Sequence, residues 1–97
     1  MQTEALGWRT DPPAGSAVTD ADVIERSARD PASFGLIFDR HSDAILRYAY
    51  ARLGPDLAED VLAETFLAAF ARRASYDKSR PSALPWLYGI AISSAFR

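Results

Sequence analysis

At 97 residues the chain has room for one domain around a single modest core. It holds no cysteine, which excludes a disulfide framework or a thiolate metal site, and no apolar run near the roughly 18–20 residues that span a bilayer. The net charge of −2 is unevenly laid out: residues 1–71 carry six Lys/Arg against twelve Asp/Glu, whereas Arg72, Arg73, Lys78, Arg80 and Arg97 face Asp77 alone in residues 72–97.

Parts of opposite sign suit two different partner surfaces, the C-terminal one an anion; the blander account is a solvated surface whose charges fall unevenly. The sequence lacks the basic start and apolar stretch of a secretory signal, and a cytoplasmic protein is expected. Residues 1–18 (MQTEALGWRTDPPAGSAV) are rich in Gly, Pro, Ser and Thr without a period, which predicts a disordered leader. Residues 19–97 are then the folded domain. Thr19 is placed to cap a first short helix that runs to about Arg29, with Asp20 and Asp22 in its first turn and Val23 and Ile24 as its buried side.

Asp30-Pro31 restarts the chain, Asp as the cap and Pro at the first helical position, where its missing N–H costs nothing. From there Phe34, Ile37, Phe38, His41, Ile45, Tyr48, Ala49 and Leu53 fall at helical spacings of three and four. Gly54-Pro55 ends that helix, and Pro55-Asp56 opens a third. The apolar face of the third helix is Ala58, Val61, Leu62, Thr65, Phe66, Ala69 and Phe70; its acids crowd the N-terminal half, with Arg72 and Arg73 at the far end. That is the distribution the helix dipole prefers. After a polar, basic loop from Ala74 to Pro81, Ser82 caps a last helix that tolerates Pro85 in its first turn. Leu84, Leu87, Tyr88, Ala91 and Ala95 form its stripe, thickened by Trp86, Ile90 and Phe96. The expected fold is all-α, a compact three- to four-helix bundle.

Catalytic chemistry finds little to work with. The one histidine, His41, stands beside Phe38 and Ile45 and reads as a packed or surface residue. No HExxH, Gly-rich phosphate loop or nucleophile elbow occurs. Glu59 and Asp60 are adjacent, so they point roughly 100° apart on a helix and cannot chelate together. A binding module is expected, with no catalytic residue, metal or cofactor.

Three blocks carry a family resemblance: DPASFGLIFDRHSDAILRYAYARLG over residues 30–54, AEDVLAETFLAAFARR over 58–73 and PWLYGIA over 85–91. In this order and spacing they resemble region 2 of a bacterial sigma factor, specifically of the compact extracytoplasmic-function group. The resemblance implies a transcription initiation factor domain that docks on core RNA polymerase and contacts and melts the promoter −10 element. In the family, the helix matching residues 56–73 docks on a coiled coil of the polymerase's largest subunit. Leu62, Thr65, Phe66 and Phe70 are candidate apolar anchors; if 62, 66 and 70 face the core, Asp60, Ala63, Glu64 and Leu67 become the stronger contacts. Charge complementarity with a basic hairpin would orient the encounter, and apolar anchors would slow release.

The same resemblance places an extruded promoter base at the loop Ser75–Arg80. Stacking surface and cations are what single-stranded DNA needs, and Tyr76, Lys78, Ser79, Arg80, Trp86 and Tyr88 are the candidates, with Ser93 and Arg97 further along. The blander account is that Trp86 and Tyr88 seal the bundle, and for Trp86 the two readings are even. The chain departs from the pattern at Ser93, where family members usually carry an Asn whose amide contacts the promoter strand; the second half that reads the −35 element is outside these 97 residues, as expected either of a domain cut from a longer protein or of a stand-alone remnant. Two function classes therefore stay open. One is a polymerase- and promoter-binding domain; the other is an interaction module that occupies the sigma site or binds an anti-sigma factor without productive promoter reading.

Overall fold

A computed structural model describes residues 18–95 of the chain. Nearly all of the expected leader, as well as Phe96 and Arg97, lies outside the described residues. Four α-helices follow one another: α1 (Asp20–Arg26), α2 (Gly35–Leu53), α3 (Pro55–Ala71) and α4 (Leu84–Ala95). Short 3₁₀ turns at Pro31–Phe34 and Arg73–Ser75 complete the ordered backbone, and no strand occurs among the described residues. The expected all-α bundle is the fold found. Among the described residues no helix is long and apolar enough to cross a membrane.

Local chemistry sets each boundary. Thr19 and Asp22 form a reciprocal capping box: the Asp22 N–H donates to Thr19 Oγ1 at 3.0 Å, and the Thr19 N–H to Asp22 Oδ2 at 3.2 Å. The helix expected to reach Arg29 stops at Arg26. There the bonds tighten to three-residue spacing, Ala28 N–H to the Glu25 carbonyl and Arg29 N–H to the Arg26 carbonyl, and the Ser27 hydroxyl donates to the Ile24 carbonyl at 2.6 Å. Asp30 makes no backbone cap. Its carboxylate instead accepts from the Ser33 hydroxyl at 3.1 Å, and a 3₁₀ turn precedes α2 where a direct helix start was expected.

Gly54 joins α2 to α3 alone, with φ at +82°, in the region that side chains disfavour. Its N–H still bonds the Tyr50 carbonyl at 2.8 Å, so α2 ends cleanly and Pro55 starts α3 at once. The two helices form an antiparallel hairpin: Phe34 meets Phe70 edge-on at 5.4 Å between ring centroids, and Phe38 meets Phe66 at 4.9 Å. Ile37, Ile45 and Ala49 of α2 and Ala58, Val61, Thr65, Phe66 and Ala69 of α3 are buried between them. Leu62 and Phe70, also expected on that face, are half-buried. α4 closes the core with Leu87, Ile90 and Ala91, and α1 covers one end with Val23 and Ile24.

Candidate functional site

α3 turns one face outward. Leu57, Asp60 and Leu67 are exposed and Glu64 is half-buried, at spacings of three and four that put them in one stripe beside Ala63. Leu67 is 71% exposed, the most open of the large apolar side chains among the described residues. Leu57 belongs to this stripe although sequence reasoning passed over it; its three-residue spacing from Asp60 was the signal. Thr65 and Phe66 leave the contact set. Thr65 is wholly buried with its hydroxyl donating to the Val61 carbonyl at 2.6 Å, and Phe66 is spent against Phe38. Positions 61, 65 and 69 follow one another by four, so all three look into the hairpin.

The loop between α3 and α4 is strapped rather than loose. Tyr76 is only 5% exposed; its hydroxyl donates to the Arg80 carbonyl at 2.7 Å, and its ring meets Trp86 edge-on at 5.0 Å. Burial raises the pKa of this phenol, which keeps it a donor. The expectation that Tyr76 offers a free stacking face is corrected: the ring packs inside, and the polar end ties the loop. Asp77 Oδ1 accepts from the Ser79 hydroxyl at 2.7 Å and the Ser79 N–H at 3.0 Å, and these two bonds lower the Asp77 pKa. Asp77 also faces Arg80 Nε at 3.6 Å. Lys78, Ser79 and Arg80 are left exposed on the outside of this turn. Trp86 is half-buried and, together with Tyr76, Pro85 and the Asp77–Arg80 pair, lines a hollow of about 280 Å³.

The remaining candidates separate. Trp86 and Tyr88 are two residues apart and so lie roughly 200° apart around α4. Tyr88 packs edge-on against Tyr48 of α2 at 5.3 Å, and Arg52 stands over the same Tyr48 ring. Ser93 follows Trp86 by seven residues, which returns it to the Trp86 side about two turns along, and it is exposed. Gly89 lies exposed between them, a smooth position that no motif flagged. Arg97 lies outside the described residues.

A buried carboxylate holds the loop in place. Asp20, at the start of α1, accepts from Arg40 Nη1 at 2.8 Å, from the Ala83 N–H at 2.7 Å and shares a 2.7 Å hydrogen bond with His41 Nε2; its own N–H donates to the Pro81 carbonyl. Burial alone would raise its pKa, but hydrogen bonds from Ala83, Arg40 and His41 together outweigh that and lower it. The Ser82 cap expected for α4 is thus shared: Ser82 Oγ accepts from Leu84 N–H at a long 3.3 Å, while Asp20 takes the Ala83 N–H. His41 is a packed residue, as expected, with a specific partner that its local sequence does not reveal.

With an outward acidic and apolar face on α3 and a strapped basic turn before α4, the family comparison can be placed on the fold. A family model described as Sigma-70 region 2 matches residues 37–97, more than half of the chain. This chain belongs to the sigma-70 region 2 family. Among curated proteins, the ECF RNA polymerase sigma factor BldN of Streptomyces coelicolor is similar, 36% identical over a 72-residue alignment, with 72% of this chain covered. The extracytoplasmic-function resemblance of the three blocks is thereby borne out. The chain spans about a quarter, 27%, of that relative's length. No solved structure matches the chain. The sigma region 2 match takes in most of α2, all of α3 and α4, and the loop that Tyr76 ties down.

Proposed function

We propose that this domain docks on core RNA polymerase through the outer face of α3 and holds the single-stranded promoter −10 element on the turn Asp77–Arg80 and the Trp86–Ser93 side of α4. The observation that carries the reading is the state of the turn. Its backbone is held by Tyr76, by the Asp77–Ser79 bonds and by the anchoring of Ala83, while Lys78, Ser79 and Arg80 stay open to solvent. A preordered cationic turn beside a half-buried indole offers phosphate neutralisation and a stacking surface without the entropy of ordering a loop. The stripe Leu57, Asp60, Ala63, Glu64 and Leu67 supplies what a basic coiled coil requires, carboxylates at the rim and an apolar anchor at its end.

The test is a pair of titrations. Purified chain is first added to sigma-free core polymerase, where saturable binding that a full-length sigma factor displaces is the expected result. Fluorescent −10 strand is then added to the chain–polymerase complex, where salt-sensitive binding is expected. Docking without strand binding would favour the other reading, an interaction module at the sigma site or for an anti-sigma factor, in keeping with Ser93 standing where family members usually carry an amide. Failure at the first step removes both readings that depend on polymerase.

A further inference from the structure

α1 and the end of α3 do not close on each other completely. They leave a cleft of about 470 Å³, open to solvent, with Ile24, Ala28 and Ala71 as its apolar floor and Glu25, Arg73 and Lys78 at its polar edge. Arg73 is held firmly there. Its guanidinium lies 3.8 Å from the centroid of the Phe70 ring, and Nη1 donates to the Phe70 carbonyl at 2.9 Å. Nε is enclosed yet finds no acceptor among the described residues. Enclosed donors are nearly always paired, so a fixed arginine with an unmatched N–H is unusual.

We infer that this cleft is a binding site for a small organic oxyanion, a carboxylate or phosphate monoester carried on an apolar or planar body. A guanidinium offers paired donors in a fork that matches the two oxygens of such a group, and here stacking and one backbone bond have already set its position. Lys78 provides a second positive charge at the same cleft. Glu25 offsets one of the two, so the site suits an anion of one or two charges better than a polyphosphate. A bare inorganic ion would leave the alanine and isoleucine floor uncovered. The volume lies within the range of small-molecule sites, roughly 300–1,000 Å³. The cleft lies on the α1 side of the 3₁₀ turn and shares no lining residue with the hollow beside Trp86.

The experiment uses the full chain, isotopically labelled, with neither polymerase nor DNA present, so its result is independent of the proposed transcriptional role. Backbone amide resonances are followed while inorganic phosphate, phenylacetate or adenosine 5′-monophosphate is added. Saturable shifts centred on Ala28, Ala71 and Lys78 are expected with at least one organic probe, at about tenfold higher affinity than with inorganic phosphate. Response to phenylacetate alone marks a carboxylate ligand, and response to the nucleotide alone a phosphate monoester. Arg73→Met should weaken binding at least about tenfold, the loss expected for one charge-assisted contact, while Glu25→Gln should tighten it. Lys78→Ala, at an exposed position with no core role, carries the same test should Arg73→Met lose helical content. No saturation by any probe in the millimolar range overturns the inference, as does equal affinity for inorganic phosphate. Binding that emerges only in Glu25→Gln also overturns it, because Glu25 would then be the counter-ion of Arg73.

Discussion

The carboxylate of Asp20 gathers Arg40, His41 and the Ala83 N–H from distant points of the chain. Removing an acceptor from several enclosed donors costs more than the bonds contribute when made. Asp20→Ala should lower unfolding free energy by about 2–4 kcal/mol, read as a lower urea midpoint with the slope unchanged. The pH dependence follows from the direction of the shift. The folded-state pKa of Asp20 is depressed, so its contribution is present above the unfolded value near 3.8 and is lost as pH falls through the folded value beneath it. Wild-type stability should therefore drop on acidification below about pH 4, and that part of the acid limb should flatten in Asp20→Asn, as measured by urea titrations at several pH values. Tyr76→Phe is a gentler change, since it keeps the ring against Trp86 and deletes the bond to the Arg80 carbonyl. It should cost about 1 kcal/mol and weaken −10 strand binding more than polymerase binding, the two compared by titration.

At the level of the helix, α3 buries one face and turns the other outward, and its sequence pattern separates the two well. The apolar spacing from Ala58 to Phe70 predicts the buried side, and positions 58, 61, 65, 66 and 69 are buried. The acids on the outer side then become the testable surface. Asp60→Lys combined with Glu64→Lys should leave helical content near wild type by circular dichroism, because both positions lie beyond the first turn of α3, where the helix dipole acts. Affinity for core polymerase should fall at least about tenfold in the same preparation. What the sequence conceals at this scale is local competition. α1 ends early because the Ser27 hydroxyl and three-residue backbone bonds satisfy its last carbonyls, and Asp30 turns to Ser33 instead of capping a helix. Hydrophobic spacing has no term for such side-chain alternatives. Tyr76 departs from its expected role for a related reason. A tyrosine in a polar loop looks free until the fold brings Trp86 beside it and curls the chain so that Arg80 presents its carbonyl.

Across the whole molecule, caps, breakers and three- and four-residue spacing made the all-helical bundle legible, because each is written within one helix or its edges. The Asp20 cluster was not legible, since its partners lie 20, 21 and 63 residues away and nothing local marks them. The placement of charge is also a whole-molecule property. With a net charge of −2 the free chain should bind DNA weakly, and strand binding should require the polymerase complex. Within that complex, Lys78→Ala should weaken −10 strand binding and reduce the slope of log affinity against log salt by about 0.7, one phosphate contact on a single strand. The spacing of the Asp20 cluster has one more consequence, which concerns synthesis. The α2–α3 hairpin, linked by Gly54 alone, is complete by residue 71 and can assemble before α4 is made. Asp20 meets Ala83 only when nearly all of the domain has left the ribosome, so a nascent chain halted before that point can hold α1 through Arg40 and His41 while the Pro81 and Ala83 half of the cluster is still missing.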